Sequence, residues 1–117
     1  MKAVNTLRIA NTGVFMGPGP RELLCTIEQL SSLRQASIQT GISYTKALRL
    51  LKKMEEELGF AVVQSEKGGS GRGGTVLTPK GKQLLDVYTE LEKQVQQLAQ
   101  NLVDEKLAFL AEQPPLS

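Results

Sequence analysis

The chain of 117 residues contains no histidine and a single cysteine, Cys25. Without these side chains there is no usual ligand set for structural zinc, and a nucleophilic enzyme would lack its usual base. A single cysteine also rules out a disulfide within the chain, which indicates a reducing compartment. We therefore expect a cytoplasmic protein that is not an enzyme and has no catalytic residue, metal or cofactor.

Aromatic residues make up only 4% of the sequence, and no apolar run is long enough to cross a membrane. The N-terminus also lacks the apolar core of a signal peptide. Tyr44, Phe60 and Tyr88 do not form a cluster of stacking aromatics on strands, which disfavours RNA or single-stranded DNA as a ligand. We expect neither a membrane nor single-stranded nucleic acid as a partner.

The net charge is only +2, but the charges are unevenly distributed along the chain. Residues 32–82 contain nine Lys or Arg against four Glu, whereas residues 83–117 contain two Lys against six acidic residues. Positive charge is thus concentrated in one region, as a phosphate-contacting surface requires. The acidic C-terminal region should stay away from nucleic acid.

Two helices separated by a sharp turn are predicted inside the basic region. Ser32 and Gln35 form a capping box at the start of the first helix, whose buried side is predicted to be Leu33, Ala36 and Ile38. Gly41 accepts the positive φ that the turn requires, and Ser43 caps the second helix, which runs to about Leu58. The inward positions of the second helix recur at helical spacing: Ala47, Leu48, Leu51, Met54, Glu55 and Leu58.

The outward positions of the second helix are Tyr44, Thr45, Lys46, Arg49, Lys52 and Lys53. If this helix enters a major groove, these side chains can reach base edges or phosphates. A helical pair alone does not establish DNA binding, because such pairs occur in many folds and a basic helix face is often simply exposed to solvent. The three carboxylates that follow, Glu55 to Glu57, are interpreted as a solvated helix end.

A β-hairpin is predicted next, with strands at residues 61–64 and 75–77. Its tip, residues 67–74, contains five glycines together with Lys67 and Arg72. Such a tip lets the backbone approach a phosphate ridge or a minor groove while two cations neutralise charge. This continuation favours a winged helix.

The tip also contains a literal G-x-G-x-x-G at Gly69, Gly71 and Gly74. A dinucleotide fingerprint requires a helix N-terminus directly after the glycines, whereas here residues 75–77 continue as a strand. We therefore do not interpret these glycines as a nucleotide site.

A long helix is predicted from Pro79, with Thr78 as its cap and Gly81 permitting a close backbone approach. Its apolar residues follow coiled-coil spacing at Leu84, Tyr88, Leu91, Val95, Leu98 and Leu102. Because the helix is longer than a small domain is wide, this stripe favours a homodimer. The alternative is that the helix packs back on its own domain.

The apolar positions shift by one residue beyond Leu102, to Val103, Leu107 and Leu110, so a bend, fraying or a change of partner is expected there. Pro114 and Pro115 then end any helix.

The N-terminal region is predicted to form a hairpin around residues 11–13, followed by a helix opened by Pro20. The inward residues of this helix are Leu23, Leu24, Ile27 and Leu30. The expected fold is mostly α with small β: a winged helix-turn-helix with an N-terminal hairpin and a long C-terminal helix. The expected divisions are residues 1–78 for the DNA-binding domain, 79–113 for the dimerisation helix and 114–117 for a tail.

The chain through about Gln100 resembles the N-terminal DNA-binding domain of the molybdate-dependent transcriptional regulator (ModE) family. The resemblance is carried by residues 17–24 (GPGPRELL), 41–47 (GISYTKA), 68–74 (GGSGRGG) and 77–81 (LTPKG); LysR-type regulators share a wing and helix start similar to the last of these. It implies a LysR-like winged helix that dimerises through its C-terminal helix, with the helix carrying Tyr44, Lys46 and Arg49 in the major groove.

Full-length members of that family carry C-terminal domains that bind molybdate. The remaining residues of this chain lack the strand pattern of such a domain. We therefore expect a stand-alone regulator, or one that receives its signal from an unknown partner protein.

The functional expectation is a homodimeric regulator that binds pseudo-palindromic double-stranded DNA. Base-reading and phosphate contacts are expected from Tyr44, Thr45, Lys46 and Arg49. Further phosphate or minor-groove contacts are expected from Arg34, Ser43, Lys53, Lys67, Arg72 and Lys80. The alternative is a winged-helix interaction module that docks a partner protein through its long helix or its wing.

Overall fold

The computed structural model describes residues 1–67, 73–112 and 116. Its elements are, in order, β1 (Ile9–Ala10), β2 (Val14–Met16), α1 (Pro18–Leu30), α2 (Leu33–Thr40), α3 (Tyr44–Leu58), β3 (Val63–Lys67), β4 (Gly73–Leu77) and α4 (Pro79–Lys106), followed by a 3-10 turn, Ala108–Glu112. The predicted fold class, mostly helical with small antiparallel hairpins in a winged-helix arrangement, is confirmed. Within the described ranges, no helix is both long and apolar enough to span a bilayer.

Local hydrogen bonds fix where the helices begin, as the sequence predicts. The hydroxyls of Ser32 and Ser43 accept hydrogen bonds of 3.1 Å from the backbone N–H groups of Gln35 and Lys46. The turn between α2 and α3 is made by Gly41, whose φ of 75° is unfavourable for other residues. α1 begins at Pro18, two residues before the predicted start, because either proline fits a first helical turn.

The start of α4 is packed directly on the chain that enters the wing. Thr78 caps α4 by accepting a 3.0 Å hydrogen bond from Gly81 N–H, and its own hydroxyl donates to the carbonyl of Ala61 at 2.7 Å. A Cβ on Gly81 would lie 2.1 Å from the carbonyl oxygen of Val62. Only glycine fits there, as predicted, so α4 leaves the domain in a fixed direction.

The core lies where α1, α2, α3, β2 and the first turns of α4 meet. It consists of Phe15, Met16, Leu23, Leu24, Ile27, Leu33, Ala36, Ala47, Leu51, Met54, Val62, Leu85 and Tyr88. Three residues predicted to face this core do not: Leu30 is exposed, Ile38 is 68% exposed and Leu48 is 45% exposed. Leu33, Ala36 and Ser37 already occupy the inward face of α2, and Leu48 lies on the flank of α3 that faces the wing.

The wing hairpin pairs β3 with β4 in a regular register from Val63 opposite Leu77 to Lys67 opposite Gly73. Both strands therefore extend nearer to the tip than predicted. Thr75 N–H also donates a 3.1 Å hydrogen bond to the carbonyl of Ser31, which joins the wing to the end of α1. Arg72 and the side chain of Lys67 lie outside the described residues.

The first seven residues form an extended segment along α4, for which the sequence carries no recognisable pattern. Gln96 donates to the carbonyl of Ala3 at 2.7 Å, and Ala3 N–H donates to Gln100 at 2.9 Å. Tyr88 is fully buried and donates to the carbonyl of Leu7 at 2.6 Å. Burial, together with the nearby carboxylate of Glu92, raises the pKa of Tyr88. Tyr88 belongs to the core of the domain.

α4 extends well beyond the rest of the domain. The longest dimension of the structure is 69 Å and its radius of gyration is 19.0 Å, whereas a compact domain of this length would have a radius of about 13 Å. α4 ends at Lys106, and the chain continues as a 3-10 turn at the region where the apolar positions shift by one residue. Its distal half therefore has much of its surface open to solvent.

Candidate nucleic-acid interface

The N-terminal half of α3 presents an open surface in the basic region. Ala47, Leu51 and Met54 fix the inward side of the helix. The residues predicted to contact DNA there are all exposed: Ser43, Tyr44, Thr45, Lys46 and Arg49. Among the described residues, neither Lys46 nor Arg49 forms an ion pair, so both cations are available to a ligand.

The C-terminal half of α3 is hydrogen-bonded to both hairpins. The carboxylate of Glu57 accepts hydrogen bonds from the backbone N–H groups of Thr12 and Gly13 in the first hairpin turn. The carboxylate of Glu55 accepts a 2.8 Å hydrogen bond from Val62 N–H at the entrance to the wing. The interpretation of Glu55 and Glu57 as a solvated helix end is therefore wrong, because both carboxylates bind backbone donors from distant segments. α3 is held between the two hairpins at this end.

Glu57 is the most strongly held of these carboxylates, with a side chain that is 6% exposed. Desolvation by itself would raise its pKa, but the hydrogen bonds from Thr12, Lys53 and Gly13 outweigh it, so the pKa of Glu57 is lowered. The turn also brings Asn11 within 3.0 Å of the carbonyl of Glu57. The first hairpin is thus fastened to α3 by an ionised carboxylate.

Two of the predicted phosphate contacts have partners within the protein. Lys53 pairs with Glu57 at 3.1 Å. The ammonium of Lys80 lies 4.9 Å from the ring centroid of Phe60 and borders a shallow pocket on α4 together with Leu84 and Val87. Lys80 and the exposed residues of α3 thus border different pockets, since Tyr44 lines the groove beside the wing and Lys80 does not.

Arg34 does lie beside that set. Its guanidinium is 6.0 Å from the ring centroid of Tyr44, which is within the range of a cation–π contact. The predicted residues that the structure brings together are Arg34, Ser43, Tyr44, Thr45, Lys46 and Arg49. The hydroxyl of Ser43 caps α3, so this residue presents its backbone and only part of its side chain.

α4 presents an apolar stripe that differs from the predicted one at one position. Tyr88 is turned into the core, whereas its neighbour Val87 is exposed. The other exposed members of the stripe are Leu91, Val95, Leu98 and Leu102, and Leu84 is half-buried at its start. Spacing alone did not distinguish Val87 from Tyr88, because either residue continues the pattern from Leu84 to Leu91.

Across residues 1–67, 73–112 and 116, no group of three or more Cys, Asp or Glu side chains is placed to hold a metal ion. What the described residues do offer is a set of exposed cations and hydrogen-bond donors on α3 and a protruding helix, α4.

Comparison with known proteins finds relatives named ModE and MopB. No protein-family model matches it. The chain is 34% identical over 90 residues to "Molybdenum-pterin-binding protein MopB" of Rhodobacter capsulatus, a match that covers 77% of this chain and 33% of that protein. It is 35% identical over 86 residues to "DNA-binding transcriptional dual regulator ModE" of Escherichia coli, which covers 74% of this chain and 32% of that regulator.

A third match, 38% identical over 71 residues, is to "Molybdenum transport protein ModE" of Herbaspirillum seropedicae and covers 61% of this chain and 26% of that protein. This chain therefore spans about one third of the length of the curated relatives it matches. Relatives named ModE or MopB at 31–38% identity over most of this chain support a relationship to the ModE family.

Proposed function

We propose that this chain is the DNA-binding part of a ModE-like transcriptional regulator and that it binds duplex DNA as a homodimer. The observation that carries this proposal is the open N-terminal half of α3. Thr45, Lys46 and Arg49 are exposed there, and the two cations have no ion-pair partner in the described part of the chain. A helix presented in this way fits the major groove.

The surroundings of α3 favour a polyanion as the ligand. Arg34 lies next to Tyr44, and the wing beside α3 leads to a glycine-rich tip with Lys67 and Arg72 in the sequence. The acidic residues of α3 lie at its other end, where Glu55 and Glu57 bind backbone N–H groups. Phosphate contacts to both sides of the reading helix are therefore compatible with the charge distribution.

The dimer is proposed from the exposed stripe on α4. Val87, Leu91 and Leu98 are large apolar side chains open to solvent on a helix that protrudes from the domain, and Leu98 is 60% exposed. Pairing two such helices would bury the stripe and set a fixed distance between two copies of α3. Such a dimer would require a DNA site with two-fold symmetry.

Selection of bound duplexes from a random library tests the proposal, with the salt dependence of the best site measured beside a scrambled duplex. We expect a two-fold symmetric motif and a steep salt dependence. The double variant Leu91→Glu and Leu98→Glu should be a monomer in analytical ultracentrifugation. It should also no longer enrich the symmetric motif. Binding that is equally tight to all duplexes would contradict sequence-specific reading.

A second function is favoured by one observation, the apolar residues beyond α4. Leu107, Phe109 and Leu110 are exposed around the 3-10 turn. If the library gave no enriched duplex and the chain were monomeric, these residues together with the stripe on α4 would make a protein-interaction module the better account.

A further inference from the structure

One part of α3 does not fit a purely polar reading surface. Tyr44 and Leu48 lie one helical turn apart, so they share a face. Tyr44 is 47% exposed and Leu48 is 45% exposed. Both border a groove whose opposite wall is the wing, at the paired residues Ser65 and Thr75. The helix therefore carries a small apolar patch on its wing side.

Packing within the protomer does not account for this patch. Leu33 and Leu51 line the same groove but belong to the buried core, whereas Leu48 stays open to solvent. A single exposed leucine is ordinary on a protein surface. Leu48 is less ordinary because it adjoins Tyr44 on a helix that also presents Arg49, which is exposed and has no ion-pair partner in the described part of the chain.

Charges around the patch indicate what kind of ligand covers it. Arg34 lies over the Tyr44 ring, and Lys52 borders the groove. The carboxylate of Glu55 also lines the groove, but it accepts a hydrogen bond from the backbone N–H of Val62. An apolar spot with the cations of Arg34 and Lys52 at its border suits a ligand that combines negative charge with a small apolar group. In the major groove that group is the 5-methyl of thymine, which apolar side chains contact directly.

We propose that Leu48, flanked by the Tyr44 ring, reads a thymine methyl group in the DNA site. This inference rests on the proposed function, because it assigns one specificity contact to the helix that is proposed to enter the groove. Arg34 and Lys52 provide affinity without sequence preference, whereas Leu48 distinguishes thymine from a base that lacks the methyl.

The test uses the full chain and the duplex obtained by selection. Each thymine of one half-site is replaced in turn by deoxyuridine, which removes only the methyl group. We expect wild-type binding to weaken about fourfold at one position, the factor that corresponds to burying one methyl group. In Leu48→Ala, the thymine and deoxyuridine duplexes should bind equally well at that position.

Ile38→Ala is the matched control, because Ile38 is an exposed aliphatic residue of similar size on α2, outside the groove. This variant should keep the full fourfold difference. Thermal unfolding of both variants should stay close to that of the wild type, since neither side chain is in the core.

Two results would overturn the inference while leaving the proposed function intact. One is sequence-specific binding that is insensitive to deoxyuridine at every position. The other is a thymine preference that Leu48→Ala retains. Failure of the wild type to select any duplex would instead overturn the proposed function, and this inference with it.

Discussion

The two halves of α3 differ in what their charged side chains contact. At the C-terminal end, Lys53 and Glu57 pair with each other, and Glu57 also binds the first hairpin turn. At the N-terminal end, Lys46 and Arg49 are exposed and unpaired within the described part of the chain. One amphipathic helix thus has a half that stabilises the fold and a half that is left available to a ligand.

Because the two halves of α3 differ in their contacts, substitutions in one half should change stability and substitutions in the other should change ligand binding. Charged residues that bind backbone donors hold the hairpins in place, so their loss should affect folding before it affects any ligand. Exposed residues without partners contribute little to folding, so their loss should affect binding alone. Four measurements test whether the two halves of α3 differ in this way.

The largest effect on stability is expected from Met54→Ala in the C-terminal half. Met54 is fully buried, so its truncation leaves a cavity and should cost about 2–5 kcal/mol of unfolding free energy. Leu48→Ala, one and a half turns earlier on the same helix, should cost well under half as much because Leu48 is partly exposed. Urea denaturation checks both. Equal losses would mean that Leu48 is packed in the core.

A smaller loss of stability is expected from Glu57→Gln. The amide cannot accept hydrogen bonds as strongly as the carboxylate does, and Lys53 loses its partner, so the melting temperature should fall by several degrees at neutral pH. Glu56→Gln is the matched control, because Glu56 is exposed and only 4.0 Å from Lys52. It should melt like the wild type.

The same substitution should also change the acid response. The pKa of Glu57 is lowered in the folded protein, so its stabilisation is present above the ordinary pKa of a glutamate and is lost as the pH falls through the folded value. Wild type and Glu57→Gln should therefore converge in stability in acid. A constant difference in melting temperature down to low pH would contradict the role given to the ionised carboxylate.

The smallest effect is expected for the salt dependence of DNA binding. Lys46→Ala should reduce the slope of log affinity against log salt by about one phosphate contact. Lys53→Ala should reduce it by less, because Lys53 is already paired with Glu57. Equal reductions of the slope in the two variants would show that Lys53 contacts a phosphate despite its ion pair with Glu57.

The sequence predicts what is local and misses what joins distant segments. The caps at Ser32, Ser43 and Thr78 were predicted because each depends on neighbours three residues away. The hydrogen bond that Gly13 N–H donates to the Glu57 carboxylate joins residues 44 positions apart. The sequence around a helical carboxylate does not indicate which distant backbone N–H group it binds. The hairpin turn and the helix end were each predicted, but their contact was not.

α4 shows the same limit for tertiary contacts. Heptad spacing predicted a stripe that runs through Tyr88, but the domain and the N-terminal segment pack on the side of α4 that holds Tyr88, which leaves Val87 on the exposed side. The extended segment itself was missed because Gln96 and Gln100 bind main-chain groups of residues 1–3, and such polar pairs have no periodic signature. Tyr88 is buried and Val87 is exposed because the domain and the N-terminal segment pack on one side of α4.

Substitution of Arg49 tests whether the open half of α3 reads duplex DNA. The affinity of Arg49→Ala should be measured for the selected duplex and for a scrambled one, with Lys93→Ala on the exposed surface of α4 as the control. We expect Arg49→Ala to lose about 1–3 kcal/mol on the selected duplex and little on the scrambled one, with an unchanged melting temperature, while Lys93→Ala binds both like the wild type. Unchanged affinity and unchanged sequence preference in Arg49→Ala would contradict the claim.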